Sequence, residues 1–109
     1  MTSAAPNYQA TPIGAKSIPE LKQYLNGADL DQRHITNEDL AADIDTRAIW
    51  AADTLLRYAE RVGDDQEIDS ALVDLLTDLQ HLTTAFGADF QGILDRATMH
   101  YEAEEAGER

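Results

Sequence analysis

Asp74, Asp78 and His81 are spaced by four and three residues, so on a helix they line one face, a turn apart. Two carboxylates at that spacing can share a hard divalent cation, and an imidazole one turn on can complete a three-ligand set. The site would also need acids from a neighbouring helix, and Asp53 and Asp43 are the available ones. The candidate metal ligands are therefore Asp74, Asp78, His81 and Asp53. The same acids fit a solvated, salt-bridged face equally well, because Arg47 and Arg57 are placed to neutralise them and charged helix faces ordinarily meet water. No complete catalytic set accompanies them. Ser17 and Thr36 read as helix caps. His34 and His100 are lone histidines, each without a visible partner to make it a base. No glycine loop able to cradle phosphate occurs. Catalytic and cofactor-binding residues are accordingly expected to be none.

The elements that carry these residues are helical throughout. Ile68, Leu72, Leu75, Leu79, Leu82 and Phe86 recur at steps of four, three, four, three and four, a sustained apolar seam on one helix face. That helix runs from about Gln66 to Phe86, and Gly87 stops it. Asp89 caps a further helix whose apolar face is Phe90, Ile93, Leu94, Ala97 and Tyr101. Upstream, Ser17-Ile18-Pro19-Glu20 is a capping box with proline in the first turn, and it opens a short helix. Thr36 is the candidate cap of a long helix reaching about Arg61, with Ile35 and Leu40 as a hydrophobic staple. Gly63 ends that helix, and Asp64 or Asp65 caps the next. So short a link predicts an antiparallel hairpin, which would set Asp78 near Ala51 and His81 near Ala48. Asp43–Arg47 and Asp53–Arg57 are i,i+4 pairs in the favoured order. The expected fold is all-α: a small helical bundle built on a long antiparallel hairpin, with a short N-terminal helix and a C-terminal helix. Residues 1–15 read as a flexible arm, 16–105 as one helical domain and 106–109 as an acidic tail that frays, since acids oppose the dipole at a helix C-terminus.

Composition narrows the class. The chain has 109 residues, no cysteine and a net charge of −13. There is no disulfide framework and no thiolate metal site. No apolar run is long enough for a bilayer span, and no basic-then-apolar leader occurs at the start, so the expected location is cytoplasmic with no membrane partner. The negative field repels phosphates, which disfavours direct nucleic-acid binding. It suits solubility, a salt-adapted source, or a docking face for a basic protein. A sharper version is a decoy of a DNA surface, with Asp43, Asp53, Asp74, Asp78 and Glu67 as its charge ladder. Trp50, alone of its kind, lies mid-way along the longest helix, and Val73 and Leu76 widen the apolar arc of the next one. A core this small gains from a second subunit, so a homodimer is expected, with Trp50, Leu72, Leu76 and Leu79 at its interface.

The block Leu72-Val73-Asp74-Leu75-Leu76-Thr77-Asp78-Leu79-Gln80-His81-Leu82, with Gly87-Ala88-Asp89-Phe90 and Arg96-Ala97-Thr98-Met99-His100-Tyr101-Glu102, resembles small uncharacterised all-α proteins of prokaryotes and their mobile elements. A fainter likeness is to the MazG-type nucleotide pyrophosphohydrolases, which are oligomers that hold magnesium on Glu-Glu-x-x-Glu and Glu-x-x-Asp motifs. Glu38-Asp39-Leu40-Ala41-Ala42 matches the first two acids and has alanine at the third; Ala71-Leu72-Val73-Asp74 keeps only the final acid. The leading expectation is a non-enzymatic acidic interaction or accessory protein that masks a basic or nucleic-acid-binding partner. The alternative is a MazG-like pyrophosphohydrolase, with magnesium as its cofactor.

Overall fold

Ser17 starts the first helix as its context predicts. Its hydroxyl accepts from the Glu20 N–H at 3.3 Å, and the Glu20 carboxylate accepts from the Ser17 N–H at 3.2 Å. The computed structural model describes residues 8–28, 35–64 and 66–107. Within them the chain is all-α, with α1 at Ile18–Asn26, α2 at Leu40–Val62, α3 at Ile68–Ala85 and α4 at Phe90–Glu105. None of these helices is long and apolar enough to cross a membrane.

The start of α2 differs from the sequence expectation. Asp39, not Thr36, is the cap, accepting from the Ala42 N–H at 3.1 Å. Thr36 instead takes the Glu38 and Asp39 N–H groups on its hydroxyl. Leu40 is then the first helical residue, so it cannot form the staple with Ile35. The cause lies one turn into the helix. The Asp43 carboxylate, 1% exposed, accepts from the backbone N–H groups of Thr36 at 2.9 Å and Asn37 at 2.8 Å, folding that segment back over α2. Asp43 therefore does not serve as the i,i+4 partner of Arg47.

Residues 8–17, which include the described part of the expected arm, 8–15, form an extended strap. Tyr8 N–H donates to the Glu105 carbonyl at 2.7 Å, and Thr11 gives both its N–H and its hydroxyl to Asp45. At its other end Ile68 N–H donates to the Lys16 carbonyl at 2.8 Å, and Ile18 N–H to the Gln66 carbonyl at 2.9 Å. The strap thus connects the end of α4, the first half of α2 and the start of α3. It also satisfies the last turn of α4, where Glu104 reaches Arg47 at 3.5 Å. These partners offset the unfavourable dipole, so α4 stays helical to Glu105 and the chain is closed by Ala106 and Gly107. The remainder of the acidic tail, Glu108 and Arg109, lies outside the described residues, as do His34 and Asp65.

The core sits between α1 and α2 rather than along the α3 seam. Ile18, Leu21 and Leu25 meet Ile49, Ala52, Leu55, Leu56 and Ala59, and α3 adds only Ala71. Of the predicted seam, Ile68 and Leu75 pack against this cluster, while Leu72, Leu79, Leu82 and Phe86 remain exposed. The strap's bonds to Gln66 and Ile68 fix the start of α1 beside the start of α3. Asp64 does not cap α3; it accepts from the Gln66 N–H at 2.9 Å, and the cap position is Glu67, which makes no side-chain cap bond.

Candidate functional site

Tyr58 on α2 and Asp78 on α3 form the contact around which the predicted acids gather. The phenol donates to the Asp78 carboxylate at 2.5 Å. Around this pair lies an open recess of about 500 Å³, lined also by Asp64, Ser70, Asp74 and Thr77. Asp74 and Asp78 share it because they stand one turn apart on α3 and this turn still borders α2. The hydrogen bond that Tyr58 donates to Asp78, reinforced by burial and by the charges of Asp78, Asp74 and Asp64, pushes the Tyr58 pKa up from 10.0 to about 12. A proton held by a phenol at that pKa is not released near neutral pH, so Tyr58 acts here as a donor and not as a base.

The other two candidate ligands are elsewhere. His81 lies one turn beyond Asp78, is exposed and does not line the recess. By that point α3 has moved off α2. Asp53 is five residues from Tyr58, about 140° round α2, and pairs with Arg57 at 3.1 Å. Asp43 is buried and engaged by backbone. The four acids Asp43, Asp53, Asp74 and Asp78 therefore do not converge, and among the described residues no group of three or more His, Cys, Asp or Glu is arranged to hold a metal ion. Asp78 meets Tyr58, two turns along α2 from the expected Ala51. Glu38 and Asp39, the acids behind the MazG likeness, precede α2, and Asp39 caps it. The decoy ladder also loses members: Asp43 is buried, and Asp78 is bound to Tyr58.

The sequence reading did not identify Tyr58 as a site residue. Tyr58 is three residues from Leu55, on the apolar side of α2, and a tyrosine there presents a polar tip to whatever packs on the helix. The structure gives a direct test. Folding raises the phenol's pKa, so the stabilisation from this hydrogen bond is whole below pH 10 and is lost as pH rises through about 12. Alkaline ultraviolet titration of wild type minus Tyr58→Phe is expected to isolate one tyrosine ionising near pH 12. A difference curve centred at 10 would mean that the contact with Asp78 does not form in solution.

The interface candidates share one property. Trp50, Leu72, Leu76 and Leu79 are each about two-fifths exposed, and Leu82 and Phe86 are more so. Helix α3 buries only Ala71 and Thr83, and α4 buries no residue fully. Comparison with protein-family models, with curated proteins and with solved structures found no match.

Proposed function

We propose that the chain is a non-enzymatic interaction protein that works as a homodimer and turns an acidic exterior toward a basic protein partner. The observation that carries this reading is the uncovered apolar face of α3. Soluble monomers rarely leave a contiguous apolar patch of this kind open, and such patches mark sites of association. The charge supports the second half. A surface of −13 with only two lysines, Lys16 and Lys22, steers basic proteins inward and repels phosphate backbones. Direct nucleic-acid binding and membrane binding are not part of the proposal.

The test has two arms. Light scattering behind gel filtration is expected to give twice the chain mass of 12.0 kDa; the single-chain mass at high micromolar concentration would refute the homodimer. A thermal melt with and without millimolar magnesium or manganese, beside a matched salt control, addresses the pyrophosphohydrolase alternative. A ligand that binds only the folded state raises its melting temperature. No shift beyond the salt control is expected, since Asp74 and Asp78 are brought together without Asp53 or His81. A specific upward shift would favour the enzyme reading and direct the work to nucleoside triphosphates.

A further inference from the structure

One face of α3 emerges from the core in steps. Ala71 is 0% exposed, Leu75 is half-buried, and Leu79, Leu82 and Phe86 are 37%, 55% and 63% exposed. These residues follow one another by four, four, three and four, so they share a face. The face therefore stands open at Leu79, Leu82 and Phe86, although Thr83, four residues past Leu79, is buried. Leu72 and Leu76, beside them on α3, are 42% and 46% exposed. Together these five side chains form an uncovered apolar ridge.

We infer that a second copy of this chain covers this ridge, α3 packing antiparallel on its equivalent about a two-fold axis at Leu79. In that register Leu82 meets the partner's Leu76 and Phe86 meets the partner's Leu72. The inference rests on the self-association proposed above and adds its face and register.

Three observations select a second copy as the occupant. The first is area. Leu72, Leu76, Leu79, Leu82 and Phe86 of α3, with Leu94 and Tyr101 of α4, keep about two-fifths or more of their surface. At full areas of about 150–250 Å² each this amounts to on the order of 700 Å², close to the roughly 800 Å² that each partner of a standard interface contributes. The second is openness. The radius of gyration is 15.8 Å, against about 13 Å for a compact chain of this length. The accessible surface is 7929 Å², against about 6,000 Å² for a folded monomer of this mass. The third is self-complementarity. The ridge residues Leu72, Leu76, Leu79, Leu82 and Phe86 are spaced symmetrically about Leu79. A two-fold operation there lays the ridge of each copy on the ridge of the other and closes the assembly. Charge agrees with this division. The ridge residues are uncharged, whereas Asp74 and Asp78, which would draw a basic protein, face the Tyr58 recess.

The chain lacks cysteine, so single-cysteine variants report the register cleanly. Under mild oxidation Leu79→Cys is expected to form a covalent dimer rapidly, because two copies of that position meet at the axis. Val73→Cys, on the same helix but six residues along it and about 120° round it from Leu79, is expected to cross-link at least about tenfold more slowly. Leu82→Asp, at a half-exposed position that can accept a charge without unfolding the chain, is expected to keep the helical circular dichroism and run as a monomer. A wild-type chain that is monomeric throughout overturns both the self-association and this inference. A wild-type dimer in which Val73→Cys cross-links as fast as Leu79→Cys, or Leu82→Asp remains dimeric, overturns the ridge pairing and leaves self-association standing. If Leu82→Asp loses its helical signal, the ratio of the two cysteine rates decides.

Discussion

Asp43→Ala is expected to lower the melting temperature by more than about 10 °C, through loss of roughly 3 kcal/mol. The carboxylate is almost wholly buried and takes two backbone N–H groups, those of Thr36 and Asn37, plus the Thr36 hydroxyl at 3.3 Å. Hydrogen bonds to a charged acceptor are each worth about 1.5–3 kcal/mol, and a buried donor left unpaired adds its desolvation cost. The loss would fall on the segment that leads into α2, since these bonds hold residues 36–37 against its first turn. Asp43→Asn tests the mechanism. One amide oxygen can still accept, but the amide NH₂ would oppose the second backbone donor, so most of the loss should persist. Asp69→Ala, an exposed acid in the first turn of α3, is the control and is expected to cost less than about 1 kcal/mol. Melts followed by circular dichroism settle the matter: a drop in Asp43→Ala no larger than in the control would show that the buried carboxylate does not hold the helix start.

Local signals read well from the sequence where the chemistry is local. The Ser17–Glu20 box, the Gly63 stop in the left-handed region at φ 76° and the Asp89 cap of α4 all depend on residues within one turn. The all-α class followed from the same signals summed along the chain. What failed was the assignment of faces. The α3 seam has the strongest periodicity in the chain, and periodicity says that a face is apolar without saying what covers it. The extended strap decided that question. Residues 8–17 carry no periodic pattern, yet their hydrogen bonds to Asp45, Gln66, Ile68 and Glu105 place α1 in the core and hold α4 against the start of α2. Thr36 misled for a related reason. Asp43 takes the Thr36 and Asn37 N–H groups ahead of α2 from inside the helix, which leaves Asp39 to cap it through the Ala42 N–H.

The candidate site was legible in half. Spacing alone put Asp74 and Asp78 on one face, and the structure brings them to one recess. The reach to a second helix was not legible, because it depends on where α3 crosses α2, and a symmetric count about the link placed Asp78 opposite Ala51 instead of Tyr58. His81 and Asp53 fall away from the recess for the same geometric reason. The interface candidates were chosen for an excess of apolar width over what one neighbour covers, and that excess does stand open in the single chain.

Raising salt from about 0.01 M to about 1 M is expected to strengthen self-association at least tenfold, as the Debye length falls from about 30 Å to about 3 Å. Each copy carries −13, so two copies repel at long range while the apolar ridge of α3 attracts only on contact. Screening removes the first term and leaves the second. A basic partner drawn to the acidic exterior must respond with the opposite sign, because screening weakens attraction between unlike charges. Sedimentation velocity across a sodium chloride series measures the first slope, and binding of polylysine across the same series measures the second. Opposite slopes mean that the two surfaces are physically distinct, one apolar and used for assembly, the other charged and used for recognition. Self-association that weakens with salt would place ionic contacts at the interface, which the ridge from Leu72 to Phe86 cannot supply.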